Sequence, residues 1–130
     1  MTRIFMVDDE SDFTELTGTL LGFHGFDVEA CNDPIKAKDR LLAQKMDLVV
    51  TDLMMPGLDG FGLVDFLRQQ PQYQAVPIIV LSAKILNDQE RKFLLQNKVH
   101  FQTKPFEPHQ LVDQVRHLLD DASSASPHPA

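Results

Sequence analysis

Three runs of apolar, largely β-branched residues punctuate the chain, and each ends at a polar one: Arg3 to Val7 (RIFMV) at Asp8, Leu48 to Thr51 (LVVT) at Asp52, and Val76 to Leu81 (VPIIVL) at Ser82. Continuous apolarity of this kind predicts strands buried on both faces. Phe26 to Cys31 and Val99 to Thr103 instead alternate apolar with polar residues, which predicts strands exposed along one side. Between the strands, apolar residues recur at helical spacing. The first helix is predicted to turn Phe13, Leu16, Leu20 and Phe23 inward, with Asp12 and Glu15 in capping-box position and Gly25 as its terminator. The second starts at Asp33 and Pro34, runs to about Gln44 and faces Ile35, Leu41 and Leu42 inward. The third spans Phe61 to Gln70, carries Leu63, Val64, Phe66 and Leu67, and stops at Pro71. In the fourth, Asn87 caps with Glu90 three residues on, Phe93, Leu94 and Leu95 follow, and Asn97 is a left-handed terminator. The fifth begins near Glu107 and Pro108 and carries Leu111, Val112, Val115, Leu118 and Leu119.

Five strands alternating with five helices call for an α/β fold with a mostly parallel sheet, covered on both faces by right-handed crossovers. The apolar strands one, three and four belong at the centre and the alternating strands two and five at the edges. The doubly wound, flavodoxin-like order 2-1-3-4-5 is one arrangement that meets this requirement.

A chain of 130 residues is long enough for one domain with its own core. We expect that domain over residues 1–119, and a flexible tail or the start of a linker over 120–130, where DDASSASPHPA loses all periodicity. The single cysteine, Cys31, precludes an internal disulfide and is compatible with a reducing compartment. The N-terminus meets its first acidic cluster too early for a signal peptide, and no apolar run approaches the ~18 residues of a membrane span. A cytoplasmic chain without membrane contact is expected. With 19 acidic against 12 basic residues the net charge is -7, so this segment is a poor candidate for binding nucleic acid, and any DNA output would need another domain.

The strand ends carry the candidate chemistry. In the order above, strands one and three are neighbours where the winding reverses, which brings Asp8, Asp9 and Asp52 to one lip, with Ser82 and Lys104 delivered by the next two strands. Taken alone, an Asp after a strand is a turn former or cap. Three carboxylates in one cleft repel, so the site needs a raised pKa or a bound cation, and hard oxygen ligands favour Mg²⁺. A lysine and a hydroxyl opposite them suit the outer oxygens of a tetrahedral dianion. Together these residues describe a phosphoryl site with Asp52 as nucleophile and Lys104 and Ser82 holding the transferred group. The five histidines, His24, His100, His109, His117 and His128, lack metal-ligand spacing and read as solvated surface residues.

From about Arg3 to Leu119 the chain resembles the receiver (phosphoacceptor) domain of bacterial two-component response regulators. The resemblance rests on the acidic pair in MVDDE, the acceptor in VVTDLMMPGLDG, the hydroxyl in IIVLSAK and the lysine in QTKPF, in that order and spacing. It implies a signalling switch rather than an enzyme acting on an external substrate. Asp52 would take a phosphoryl group from the phosphohistidine of a sensor kinase or histidine phosphotransfer protein. Mg²⁺, for which Mn²⁺ is a substitute, would be held by Asp9, Asp52 and the backbone carbonyl of Met54, with Asp8 acting through water. It further implies a cis Lys104–Pro105 peptide, a switch in which the Ser82 hydroxyl and Phe101 move inward and alter the face made by helix four, strand five and helix five, and tuning of phosphoryl lifetime by Met54 and Lys84. A phosphorylation-dependent dimer through that face is a further implication. Val99 and His100 stand where such dimers usually carry acidic residues, and Gln102, Asn97 and Lys98 depart from the family's pattern around strand five. Ile85 and Leu86, in a loop that is usually polar, read equally as a partner surface or as local packing.

Two other functions fit less of the sequence. A phosphatase acting through an Asp nucleophile often needs a second carboxylate two residues on, where this chain has Met54. A flavin module needs a hydroxyl- and glycine-rich phosphate loop after strand one, where this chain has the acidic DDESD.

Overall fold

A computed structural model describes residues 2–54, 59–104 and 107–124, with side chains through Asp120. The turn residues Pro56 and Gly57 and the Lys104–Pro105 peptide lie outside them. The elements follow in order β1 (Arg3–Val7), α1 (Ser11–Phe23), β2 (Asp27–Cys31), α2 (Pro34–Ala43), β3 (Leu48–Asp52), α3 (Gly60–Gln69), a 3₁₀ turn (Pro71–Tyr73), β4 (Ile78–Ser82), α4 (Asp88–Gln96), β5 (Val99–Thr103) and α5 (Pro108–Ser124). All strands pair in parallel, in the order β2-β1-β3-β4-β5. That is the doubly wound order expected, and it puts the apolar strands at the centre.

The two-residue period of the strands divides the core in two. Phe5, Val7, Val49, Ile78 and Val80 pack with Ala37, Leu41, Leu63, Leu67 and Leu94, on the side of α2, α3 and α4. Ile4, Met6, Leu48, Val50, Ile79 and Leu81 pack with Leu21, Leu111, Val112 and Val115, on the side of α1 and α5. Register then sets the site. Val7 stands beside Thr51 and Asp52 beside Leu81, so Asp8 and Asp52 both emerge at the same edge of the sheet.

Helix starts follow the expected caps at Asp33, whose carboxylate accepts from the Ile35 amide at 2.9 Å, and at Asn87, which forms a full capping box with Glu90. The start of α1 differs: its cap is Glu10, without a side-chain bond, and Asp12 lies inside the first turn. The inward face of α1 also differs from the apolar spacing. Thr14, Thr17 and Leu21 are buried, whereas Leu16 is 74% and Phe23 88% exposed. A threonine serves as a core residue once its hydroxyl is satisfied, and Thr14 Oγ1 both donates to the Ser11 carbonyl at 3.0 Å and accepts from Asn32. In α2 the buried positions are Pro34, Ala37 and Leu41, leaving Ile35 and Leu42 exposed.

Three further departures concern helix ends. Asn97 is not left-handed (φ -96°); the positive φ falls on Lys98, at 56°. Beyond Pro71 the chain makes a 3₁₀ turn whose Tyr73 is fully buried, its hydroxyl 2.6 Å from the carbonyls of both Leu41 and Gln44 and accepting from the Met46 amide at 3.2 Å. Arg68 binds this region from α3, donating to the carbonyls of Tyr73, Val76 and Asn97 at 2.7 to 2.8 Å. Finally, α5 continues to Ser124, past the point where apolar periodicity stops at Leu119.

Candidate functional site

Asp52 is the last residue of β3, and it is only 7% exposed. Its Oδ1 accepts from the Leu53 amide at 2.8 Å, and the Thr51 hydroxyl donates to its carbonyl at 3.0 Å. The chain returns past it at once. A Cβ on Gly60, the first residue of α3, would lie 2.4 Å from the Asp52 carbonyl oxygen and 2.8 Å from the Leu53 Cα, so this crossing needs a glycine. The Gly60 amide donates to the Leu53 carbonyl at 2.9 Å, and Asp59 caps the helix through the Gly62 amide at 2.8 Å.

Asp8 faces Asp52 from the end of β1 and is also buried. Its Oδ1 accepts from the Glu10 amide at 2.9 Å. Asn32, in the β2–α2 turn, donates to the Asp8 carbonyl at 2.7 Å and to Thr14 Oγ1 at 3.0 Å, which fixes the acidic turn to α1 and to the edge of the sheet. Lys104 reaches in from the end of β5. Its Nζ is 2.9 Å from Asp8 Oδ2 and 3.7 Å from Asp52 Oδ2, and stands 4.1 Å from the centre of the Phe13 ring. Its amide donates to the Ser82 carbonyl at 2.9 Å, which ties the lysine to the end of β4.

Burial pushes the Asp52 carboxyl above the ordinary aspartate range. The Lys104 ammonium works against this, the Asp8 charge adds to it, and the amides of Met54 and Leu53 lower it again. A buried carboxylate that is held short of full stabilisation and has a cation beside it is suited to attack and to accept charge.

The structure brings together Asp8, Asp52, Lys104 and the buried Ser82 at one edge of the sheet. It does not bring Asp9 into the acidic group. Among the described residues, the carboxylates that converge to within 4.8 Å of one another are Asp8, Glu10 and Asp52; Glu10 is exposed, as is Asp9, which is not in the group. Three hard oxygen donors at that spacing fit a small divalent cation. The signal for Glu10 was present in the acidic run MVDDE, but the turn geometry that selects it over its neighbour was not.

The remaining candidates stand further out. The Ser82 hydroxyl accepts from the Lys84 amide at 3.0 Å. Lys84 Nζ is paired with Glu90 of the α4 capping box. The Met54 side chain is exposed. Phe101 is half-buried against the α2–α4 side of the core and borders a groove of about 640 Å³ together with Leu86, Leu94, Leu95 and Val99. Ile85 and Leu86 divide: Leu86 packs into the core and Ile85 is 88% exposed. Asn32, Thr14 and Phe13 carried no motif signal, because their contribution is contact with the acidic turn and the lysine rather than a residue pattern.

The family model described as the response regulator receiver domain matches residues 4–116. The "Transcriptional regulatory protein CpxR homolog" of Haemophilus influenzae is 32% identical over 97% of this chain and 54% of its own length. The "Alkaline phosphatase synthesis transcriptional regulatory protein PhoP" of Bacillus subtilis is 34% identical over 96% of this chain and 51% of its own. This chain thus spans about half the length of these relatives. Among solved structures, the receiver domain of the Francisella response regulator 1452 superposes with a TM-score of 0.83 at 27% identity, covering 93% of this chain and 98% of that one. Chemotaxis protein CheY4 of Vibrio cholerae shares the fold, with a TM-score of 0.83 at 24% identity over 91% of this chain and 98% of that one. With the sheet order, the buried acidic edge and a match over most of its length, this chain belongs to the response regulator receiver domains of two-component signalling.

Proposed function

We propose that Asp52 is the phosphoacceptor of this receiver and takes its phosphoryl group from the phosphohistidine of a sensor kinase or histidine phosphotransfer protein. The observation that carries this reading is the buried carboxylate pair Asp8 and Asp52 with the Lys104 ammonium within 4 Å of both. In the transfer, an Asp52 carboxylate oxygen forms the new bond to phosphorus as the bond from phosphorus to the donor nitrogen breaks, and the nitrogen leaves with the electron pair. Lys104 binds an oxygen of the arriving group and offsets the charge it adds. Ser82, once its hydroxyl leaves the Lys84 amide, binds a second oxygen.

Among the described residues, Asp8, Glu10 and Asp52 have oxygens close enough together to hold Mg²⁺, and the family pattern implies Asp9, Asp52 and the Met54 carbonyl, with Asp8 acting through water. When bound, the ion supplies charge neutralisation between the carboxylates and the incoming group. Mn²⁺ is the natural substitute.

The phosphoryl group would shift a population toward a state with Ser82 and Phe101 drawn inward, and so change the face of α4, β5 and α5. That face would address a partner protein or an attached output domain, since relatives about twice the matched length are named as transcriptional or DNA-binding regulators. This segment, with its net charge of -7, would not itself bind DNA. We read residues 1–119 as the receiver and 120–130 as a tail or the start of a linker, with α5 running on to Ser124. A cytoplasmic site of action accords with a kinase partner; no helix among the described residues is long and apolar enough to cross a membrane.

Intact mass after incubation with a small phosphodonor, with and without Mg²⁺, tests the reading. We expect a Mg²⁺-dependent gain of one phosphoryl group on this chain and none on Asp52→Asn. Equal labelling of the two proteins would remove Asp52 from the role.

A further inference from the structure

The helical spacing marks Phe13 only as a core residue of α1, yet the centre of its ring stands 4.1 Å from the Lys104 ammonium. Phe13 is partly buried, beside the core face formed by α1 and α5. It belongs to the first turn of α1, directly after the acidic turn that supplies Asp8 and Glu10, whereas Lys104 comes from the far end of the chain. The two residues also border one groove of about 500 Å³ with Ala83 and Pro108.

We propose that Phe13 is a positioning residue for phosphoryl transfer, holding the Lys104 ammonium at the acidic site through the face of its ring. This rests on the reading of Asp52 as acceptor and Lys104 as the group that binds the transferred phosphoryl. An ammonium on a four-carbon stem is a mobile point charge. In the resting site it donates to Asp8 at 2.9 Å and remains 3.7 Å from Asp52. During transfer it must turn toward an oxygen of the arriving group. A carboxylate partner binds one of its N–H groups and resists that turn. The ring attracts the positive charge itself, so it favours the location of the ammonium while leaving donors for the new oxygen. An aliphatic residue of similar size fills the same space without that attraction.

The test separates ring from volume. Phe13→Leu and Phe13→Met keep an apolar side chain in the groove, and Phe13→Tyr keeps the ring. Each protein is checked for folding by circular dichroism, and its labelling rate constant is measured at saturating acetyl phosphate and Mg²⁺. We expect Leu and Met to slow labelling roughly 3- to 10-fold and Tyr to stay within about twofold of the wild type. The Lys104 ε-methylene proton resonances, shifted upfield by the ring, should move downfield in Leu and Met but not in Tyr. Wild-type rates in Leu and Met, or a loss in Tyr equal to theirs, would overturn the proposal. If instead the wild type itself takes no phosphoryl group on Asp52, the functional reading has failed, and the resonance shifts still report whether the ring holds the lysine.

Discussion

Replacing Asp52 by asparagine should stabilise the fold at neutral pH while abolishing phosphoryl acceptance. The Lys104 ammonium attracts the Asp52 charge and the buried Asp8 carboxylate repels it, while the repulsion from the exposed Glu10 is screened by water. At an effective dielectric of about 20, Lys104 at 3.7 Å contributes about 4.5 kcal/mol of attraction. Asp8, with a carboxylate oxygen no more than 4.8 Å away, contributes at least about 3.5 kcal/mol of repulsion. These cancel to within about 1 kcal/mol, and the burial of a charge then decides the sign, its cost of several kcal/mol being reduced by the Leu53 and Met54 amides. An amide of the same shape still accepts from Leu53, and Lys104 keeps Asp8 as its partner. The net gain should be on the order of 1 kcal/mol, or about 3–5 °C in Tm for a domain of this size. The pH dependence follows from the raised carboxyl. Between the unfolded-state pKa, about 3.9, and the higher folded-state value, the native protein binds more protons than the unfolded one, so wild-type stability falls as pH rises through that window. The gap between variant and wild type should therefore be full above the folded-state value and close as pH falls below the unfolded one. Urea unfolding of both proteins at pH 7, 5 and 3 measures it. A variant less stable than wild type at pH 7, or a gap independent of pH, would refute the reasoning. Mg²⁺ should raise the Tm of the wild type and leave that of the variant nearly unchanged.

Four further outcomes are expected. Gly60→Ala would drive a methyl into the Asp52 carbonyl and the Leu53 backbone, and should destabilise by about 2–4 kcal/mol in urea unfolding; a loss below about 0.5 kcal/mol would contradict the close crossing. Tyr73→Phe removes a hydroxyl shared by Leu41, Gln44 and Met46 and should cost about 1–3 kcal/mol, with faster hydrogen exchange at the Met46 amide as its local signature. Lys98→Gly relieves a left-handed backbone at φ 56° and should stabilise by about 0.5–1 kcal/mol, whereas a decrease in Tm would place the strain elsewhere. Met54→Asn should shorten the lifetime of the phosphorylated state, because an exposed apolar side chain beside Asp52 obstructs an attacking water without orienting it; an unchanged decay rate by intact mass would remove Met54 from that role.

The sequence by itself determined the α/β architecture, the central strands and the acidic, hydroxyl and lysine positions at their ends. These are properties of local pattern: a strand buried on both faces must be apolar throughout, and the polar residue that ends it must lie at the sheet edge. Caps at Asp33 and Asn87 were legible for the same reason, since a capping side chain binds amides two or three residues away. Tertiary structure alone decided the rest. The inward face of α1 follows Thr14, Thr17 and Leu21 because Asn32, from another turn, satisfies the Thr14 hydroxyl, and nothing in the helical spacing carries that information. Glu10 rather than Asp9 joins Asp8 and Asp52 because the turn after β1 brings a Glu10 carboxylate oxygen within 4.8 Å of theirs, although Asp9 and Glu10 are both exposed. Phe13 meets Lys104 only because the sheet order returns the end of β5 to the first turn of α1. A residue's place along the chain sets what its own element requires, and the distances that make a site depend on how separate elements are packed.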